Sequence, residues 1–395
     1  MPHQKMGPEF DFVLLCSSVD LDEKRCALIR DAAVPTLQWE LVYDISVRQR
    51  TFPLLYETIN KVLPEKVPNQ ILDKLKNVYI ENSKYNFYLS FFLTKLLRLL
   101  KENKIDAIPF KGPVLAEKVY GAIGRRFFVD LDILVSRADA QAAWNVLSRS
   151  GFVPEMAIDD RLKRQYIDNE DDVTFFSRTA EVKVELHWEL SGNYLSKPLL
   201  LENISNRLKP IVFNNERIFC LSDEQLMLYL CIHGAKHEWE YIELVCCISE
   251  LIKKNCGLDW RLIDDLAKEW RCQIMLDLGL YLSWHLLGVS IPEEIQKRIV
   301  SQHNLSRIAQ NVIAKIFQKN TKFSDRSSRF SSFHLSVRDS RADKLRYVLR
   351  LAFSPTQKEW EYFPLPPKFF FLRYLLRPLR LISESLKMKA EGNNA

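Results

Sequence analysis

The stretch FVDLDILV, from Phe128 to Val135, alternates apolar residues with acids and decides the fold at the centre of the chain. In a strand, side chains two residues apart point to the same face. Asp130 and Asp132 therefore project together, while the alternating apolar positions face the interior: Val129, Leu131, Ile133 and Val135. The pattern predicts a half-buried strand with two adjacent carboxylates on one face.

Two neighbouring carboxylates repel each other when both are ionised, so the pKa of one of them rises. A hard divalent cation such as Mg²⁺ removes this repulsion because it prefers carboxylate oxygens as ligands. Two such cations can share the acids and hold the oxygens of a phosphoryl reaction. The alternative is that Asp130 and Asp132 are only the solvated face of a half-exposed strand, and the pair alone leaves both interpretations open.

A second alternating segment, EVKVELHW, predicts another strand that carries an acid. Its valines face inward together with Leu186, whereas Lys183, Glu185 and His187 share the opposite face. Glu185 lies in the middle of the strand and is our candidate for the third carboxylate of the site. His187 is either a neighbour that supports Glu185 or an ordinary strand histidine with its hydrogen bonds satisfied.

The periodicity of apolar residues divides the 395-residue chain into three predicted regions. We expect an N-terminal helical region over 1–100, a small mixed-sheet core over 101–190, and a helical C-terminal domain over 191–395 with a basic aromatic tail. The long helical pattern after residue 69 leaves room for a break. Asp20 and Ser222 are the predicted N-caps of two helices. The fold class is therefore α+β, with a small mixed β-sheet between helical regions.

Composition excludes several classes of protein. Glycine is scarce, at 11 residues, and neither GxGxxG nor GxxxxGK[ST] occurs, which disfavours glycine-loop nucleotide folds. The net charge of +6 is too small to indicate nucleic acid, and we find no basic residues interleaved with aromatic ones of the kind that stack bases, so a nucleic-acid substrate is disfavoured.

Cysteine spacing and hydropathy predict a cytoplasmic protein. The eight cysteines contain no CxxC pair and several lie in apolar runs, as expected of reduced, buried thiols. The N-terminus lacks the pattern of a signal peptide, and no apolar run reaches the ~18 residues of a membrane span. The tail KFFFLRYLLRPLRLI leaves a weak prediction of membrane-surface contact, but Pro378 interrupts it and docking against the body is favoured.

Six motifs in order resemble those of the bacterial uncharacterised nucleotidyltransferase family, a branch of the nucleotidyltransferase superfamily with a DNA polymerase beta-like fold. They are FKG at Phe110–Gly112, Tyr120, Gly124–Arg126, DLDILV at Asp130–Val135, ELHW at Glu185–Trp188 and HGAKHEW at His233–Trp239. The resemblance continues into the C-terminal Trp360, FPLP and RPLRL segments and so spans nearly the whole chain.

The resemblance implies an enzyme that moves an NMP from an NTP to an acceptor hydroxyl and releases pyrophosphate. Asp130, Asp132 and Glu185 would hold two Mg²⁺ or Mn²⁺ ions, one on the triphosphate and one activating the acceptor, with Glu185 or a metal-bound water taking the proton. The predicted nucleotide contacts lie in the FKG turn, the Gly-x-Arg motif and the HGAKHEW helix: Lys111, Gly112, Arg126, His233, Lys236 and His237. The two histidines are spaced as zinc ligands can be, but Lys236 between them disfavours a cation.

Three departures from the family pattern keep rival functions open. Gly112 is followed by Pro113 with a long gap to Asp130, the third acid is Glu185 where Asp is usual, and Cys247 stands where the family often has Asp. The rivals are a catalytically weak nucleotide-binding sensor, a non-enzymatic helical scaffold, and a kinase-like transferase that uses the same acids. The acceptor is open between a small molecule, a peptide and a protein.

Overall fold

The computed structural model describes residues 7–255, 257–317, 331–355, 359, 369 and 371–381. The N-terminal part consists of five helices: α1 (Pro8–Cys16), α2 (Glu23–Ala32), α3 (Trp39–Arg48), α4 (Phe52–Val62) and α5 (Asn69–Glu102). The 34 residues of α5 form one continuous helix, so the break for which the sequence left room is absent. The cap of α2 also differs from the prediction, because the Asp22 side chain, not that of Asp20, accepts the hydrogen bond from the Arg25 amide.

The centre of the chain is a mixed five-stranded sheet with short helices around it. Its strands are β1 (Ala107–Pro109), β2 (Asp130–Val135), β3 (Phe152–Pro154), β4 (Asp172–Ser177) and β5 (Lys183–His187), in the order β1-β2-β5-β4-β3. The connecting helices are α6 (Gly112–Leu115), which widens into a π-helical turn over Ala116–Tyr120, α7 (Ala140–Arg149) and α8 (Lys163–Asn169). Only the β2–β5 pair is parallel in this sheet; the other pairs are antiparallel.

The two faces of β2 are both covered. Leu131, Ile133 and Val135 are buried on one face, as the alternation predicts. Val129 was expected with them, but it precedes the strand and is 46% exposed. On the other face, Leu134 is buried beyond the two acids. The strand is therefore more deeply enclosed than a half-exposed strand, since further parts of the chain cover its acidic side.

The C-terminal part is mainly helical and contains one hairpin. The hairpin strands β6 (Lys209–Phe213) and β7 (Glu216–Cys220) are joined by Asn214 and Asn215, both with positive φ as a two-residue hairpin turn requires. The helices are α9 (Leu201–Ile204), α10 (Asp223–Lys236), α11 (Ile242–Lys254), α12 (Trp260–Trp270), α13 (Gln273–Leu287), α14 (Glu293–Ser301), α15 (His303–Phe317), α16 (Ser332–Ser336) and α17 (Arg341–Phe353). Ser222 caps α10 as predicted. The fold class predicted from the sequence, α+β with helical flanks, is thus confirmed.

Two hydrophobic clusters form the interior, and they do not follow the order of the chain. The first joins α1–α4 with α10–α15 and reaches the sheet at Ile108 and Leu134. The second joins the C-terminal half of α5 with α7 and the other face of the sheet. The division into 1–100, 101–190 and 191–395 stays a proposal about segments of the chain, because the first and third segments share one core.

Several predictions fall at the edge of the described residues. The segment 317–334 was predicted to be a loop; Ser332–Ser336 is helical, and residues 318–330 lie outside the described part. Of the aromatic tail, residues 372–381 are helical, and Arg373 and Arg377 in it are buried, whereas Trp360 and the FPLP segment lie outside. Seven cysteines are free thiols; Cys256 is not among the described residues. Among the described helices, none is both long and apolar enough to cross a membrane.

Candidate functional site

The parallel pairing of β2 and β5 brings the three predicted acids to one face of the sheet. In the register of this pair, Asp132 lies opposite Glu185 and Asp130 lies opposite Lys183. Paired residues of neighbouring strands point to the same face, so the acids of β2 and the polar side chains of β5 meet. The alternation in each strand supplied the two faces, and the strand pairing joins them.

Asp132 is the centre of this acidic cluster. Its side chain has no exposed surface, which contradicts the interpretation of the acids as a solvated face. Lys111 Nζ donates to Asp132 Oδ1 at 2.5 Å, and His187 Nε2 lies 3.3 Å from the same oxygen. Burial raises the pKa of Asp132, but the charge of Lys111 and the hydrogen bond from His187 outweigh burial and hold this pKa below its usual value. Asp132 Oδ2 is buried without a hydrogen-bond partner.

Asp130 and Glu185 lie at the more open side of the cluster, and Lys183 lies between them. Lys183 Nζ is 2.5 Å from Glu185 Oε1 and 3.7 Å from Asp130 Oδ2. Burial and repulsion by Asp132 raise the pKa of Asp130 to about 6. The pKa of Glu185 moves the other way: burial raises it, but the hydrogen bond from His187 and the charge of Lys111 lower it overall.

His187 connects the acidic cluster to a fourth carboxylate, Asp172. His187 Nε2 lies 3.5 Å from Glu185 Oε2, and Nδ1 lies 3.6 Å from Asp172 Oδ2 on β4. Burial lowers the pKa of His187, but its hydrogen bonds to Asp132 and Glu185 outweigh burial and raise the pKa to about 9. From the sequence, His187 was expected only as a neighbour that supports Glu185 or as an ordinary strand histidine. Asp172 was not predicted, because its position opposite His187 depends on the pairing of β4 with β5, which has no local signal in the sequence.

A metal ion fits part of the predicted ligand set. In the part of the chain that the structure describes, Asp132, Glu185 and His187 offer ligand atoms that all lie within 4.8 Å of one another. Asp130, predicted as a ligand, is not in this group of three. The unpartnered Asp132 Oδ2 is the kind of buried oxygen that a cation satisfies, since a buried carboxylate oxygen is costly when it has no partner. The two carboxylates therefore suit a hard divalent cation, and His187 would join them as a ligand only in its neutral form, because its raised pKa means that it must first lose a proton.

Helix α10 covers this cluster with an aromatic and histidine face. Tyr229 and His233 stack with ring centroids 5.8 Å apart, and His237 follows with its ring 4.6 Å from that of His233. Phe110 contacts both Tyr229 and His187, at 5.2 and 5.1 Å between ring centroids. Burial lowers the pKa of His233 well below its usual value. The pKa of His237 is also lowered, by partial burial and by the charges of Lys236 and Lys111, although its side chain is 42% exposed. Both rings are therefore neutral at pH 7. Tyr229 was not predicted, although its spacing of four residues from His233 places it on the same helix face.

Lys236 is exposed at the end of the same helix. Burial raises the pKa of Asp172 overall, while the charge of His187 and, to a smaller extent, that of Lys236 lower it. Lys236, His233 and His237 all belong to the HGAKHEW segment, so the structure places this motif next to the acids.

The FKG turn lies directly against β2. Gly112 has φ of +56°, and a Cβ at this position would lie 3.1 Å from the carbonyl oxygen of Asp130. Both facts favour glycine, since other residues rarely adopt this backbone conformation and the neighbouring strand leaves little room. The turn directs Lys111 to Asp132, as described above.

Arg126 is paired with Glu243, an acid outside the cluster. Its Nε donates to Glu243 Oε1 at 2.6 Å, and both side chains are buried. Cys247 Sγ donates to the same oxygen of Glu243 and accepts a hydrogen bond from the Tyr120 hydroxyl. Asn86 Nδ2 donates a hydrogen bond of 2.7 Å to the backbone carbonyl oxygen of Arg126. These contacts give Arg126 a place in a buried network between the sheet region and α11, and the structure does not bring its guanidinium to Asp132.

One face of α5 exposes aromatic rings beside basic side chains. Phe87 and Phe91 are 61% and 56% exposed, and Lys95 Nζ lies 4.4 Å from the centroid of the Phe91 ring. Lys84 is exposed on the same face. Aromatic and basic side chains are therefore interleaved on this helix, so the expectation from the sequence is wrong here. The prediction against a nucleic-acid substrate stays untested.

One comparison with known proteins identifies the family of the chain. The model of a family described as uncharacterised nucleotidyltransferase matches residues 35–288. The chain therefore belongs to the uncharacterised nucleotidyltransferase family. The match contains all six motifs but ends before Trp360 and the RPLRL segment, so the expected extension to the C-terminus is not part of it. No curated protein and no solved structure matches the chain significantly.

Proposed function

We propose that this protein transfers an NMP from an NTP to an acceptor hydroxyl. The acceptor oxygen would bond to the α-phosphorus, the bond from the α-phosphorus to the bridging oxygen would break, and pyrophosphate would leave. The family supports nucleotidyl transfer in general. The observation that carries the proposal is the convergence of Asp132, Glu185 and His187 on one buried point, with Asp132 Oδ2 unpartnered.

We propose that Asp130, Asp132 and Glu185 hold the divalent cations, Mg²⁺ or Mn²⁺, that this reaction requires. Bound Mg²⁺ supplies positive charge that stabilises the charge of the phosphoryl group in the transition state. Within the chain, Asp132 is fixed by its burial and by β2, and Glu185 is fixed opposite it by the strand register. His187 orients both carboxylates, since its Nε2 approaches each of them. Glu185, the more accessible of the two, or a metal-bound water would accept the proton of the acceptor hydroxyl.

The nucleotide would bind between the sheet and α10. Lys111 and Lys236 provide positive charge for phosphate oxygens, the turn at Gly112 lets backbone N–H groups approach them, and the neutral rings of His233 and His237 form the wall. Arg126 stays in the proposed nucleotide-binding set, but it contacts phosphate only if Glu243 releases it. The free thiols fit a cytoplasmic location, which we also propose.

The test uses NTPs labelled at the α-phosphate, incubated with Mg²⁺, purified protein and host-cell extract. We expect label to move to a new species with the native protein and pyrophosphate to form. Asp132→Asn should reduce this transfer by at least about 100-fold, more than the loss typical of residues that only support metal ligands. The matched control is Asp73→Asn on the exposed face of α5, which should transfer label like the native protein.

Three outcomes separate the rivals. Labelled acceptor and pyrophosphate support nucleotidyl transfer, whereas release of NDP in place of pyrophosphate identifies a kinase. Nucleotide binding that Asp132→Asn abolishes, without transfer in any extract, points to a sensor or to an acceptor that the extracts lack. Because the Asp132→Asn substitution leaves the Lys111 ammonium without its anion, Glu185→Gln serves as the second variant; its position is less buried and so less demanding for folding. If neither nucleotide binding nor transfer occurs with the native protein, the proposal is wrong.

A further inference from the structure

Each carboxylate that we assign to the cations is already in contact with a lysine. Lys111 Nζ lies 2.5 Å from Asp132 Oδ1. Lys183 Nζ lies 2.5 Å from Glu185 Oε1 and 3.7 Å from Asp130 Oδ2. Two ammonium groups therefore neutralise much of the negative charge of the acidic cluster.

An ammonium group and a divalent cation compete for the same carboxylate oxygens. Both are positive, so each repels the other at distances of a few ångströms, and this repulsion is strong where water is scarce. Asp132 Oδ2 is buried but has no hydrogen-bond partner, so it is available as a ligand for a cation. The oxygens that the lysines contact become available only when the lysines move to another anion.

Lys183 is better placed to move than Lys111. Its side chain is 33% exposed, whereas that of Lys111 is 14% exposed and lies under α10. Lys183 begins β5, opposite Asp130 at the start of β2, so it lies at the open end of the strand pair. A lysine side chain has four rotatable methylenes and three donors, which allows it to exchange one anion for another nearby. The phosphates of an NTP would supply that second anion.

We propose that Lys183 holds the place of a cation between Asp130 and Glu185, and moves to a phosphate group of the NTP when the nucleotide binds. Lys111 makes the corresponding contact with Asp132 from the buried side. A cation alone then binds weakly, and cation and NTP strengthen the binding of each other, since the nucleotide removes the competing ammonium groups. This inference rests on the proposed function, and it adds Lys183 to the residues that bind the substrate.

The experiment measures Mn²⁺ binding to the full-length protein by electron paramagnetic resonance, first alone and then with α,β-methylene analogues of ATP, GTP, CTP and UTP. Lys183→Met removes the charge and keeps the aliphatic chain. We expect this variant to bind Mn²⁺ alone about tenfold more tightly, and the best nucleotide analogue with Mn²⁺ about tenfold more weakly. Lys183→Arg should resemble the native protein in both measurements, because it restores the charge.

The control is Lys76→Met on the exposed face of α5, which should change neither affinity. The opposite signs of the two effects distinguish this role from a structural one, since a misfolded variant loses both affinities. Unchanged or weaker binding of Mn²⁺ alone by Lys183→Met would overturn the inference, and unchanged nucleotide binding would overturn the move to phosphate. If the native protein binds none of the analogues, the proposed function fails, whereas the Mn²⁺ measurement still decides whether Lys183 competes with a cation.

Discussion

Replacing Gly234 with alanine should destabilise the protein, although alanine is the better helix former. Gly234 lies inside α10, where alanine is favoured over glycine by about 1 kcal/mol. However, a Cβ at this position would lie 2.5–2.7 Å from three carbons of the Trp239 ring, well inside the ~3.5–4.0 Å of normal contact. The sign of the effect therefore depends on whether the ring can move.

The surroundings of Trp239 hold its ring in place. Trp239 is completely buried, and on α13 a Cβ at Gly279 would lie 3.0 Å from the same ring, so that side has no room either. Overpacking of a core typically costs about 1–3 kcal/mol. After the gain in helix propensity of about 1 kcal/mol, we expect a net loss of up to about 2 kcal/mol.

The assay is urea unfolding followed by far-UV circular dichroism, with the midpoint as the readout. Gly234→Ala should lower the midpoint, and Gly257→Ala should leave it nearly unchanged, because the nearest atom to a Cβ at Gly257 is an Asn255 oxygen at 3.6 Å. Trp239→Phe provides a smaller ring, so in the double variant the two losses should be less than additive. A higher midpoint for Gly234→Ala, or full additivity with Trp239→Phe, would refute the packing argument.

Three further predictions concern charges and caps. Burial raises the pKa of Glu189 to about 7, so the folded state loses stability as the pH rises from 4.5 to 7 and this carboxyl group ionises. Glu189→Gln should therefore raise the free energy of unfolding by at most about 3 kcal/mol at pH 8 and by little at pH 4.5, as measured by thermal unfolding. Arg126→Met and Glu243→Met should each lower the free energy of unfolding by about 3–5 kcal/mol, because each leaves one buried charge without its partner. The double variant should lose much less. Additive losses in urea unfolding would contradict this prediction. Asp22→Ala should cost about 1 kcal/mol and Asp20→Ala almost nothing, and equal urea midpoints for the two variants would show that the cap is assigned wrongly.

Much of the fold and part of the site follow from local patterns in the sequence. The alternation in DLDILV and KVELH gave both strands and the faces of their side chains, because side-chain direction in a strand depends only on position. The sequence likewise placed Ser222 at the start of α10, since a cap is a contact within four residues. It failed at Asp20, where Asp22 was an equally good local candidate.

The neighbours of the acids required the tertiary structure. Lys111 comes from the FKG turn, Lys183 from β5 and Asp172 from β4. The contacts with Asp132 join distant parts of the chain: Lys111 is 21 residues away from it and His187 is 55 residues away. The partner of Arg126 could not be predicted from the sequence either. Its motif predicted a phosphate contact, whereas in the structure it pairs with Glu243, 117 residues away.

By itself, the sequence determined that two strands carry three acids, each set on one face of its own strand, and that the chain has the motifs of a nucleotidyltransferase. Only the tertiary structure decided that Asp132 is buried, that Asp130 is the acid of the pair whose pKa is raised, that Lys111 pairs with Asp132, and that Lys183 lies between Glu185 and Asp130. The physical reason is that the direction of a side chain follows from local backbone geometry, whereas its burial and its electrostatic environment depend on the segments that fold against it.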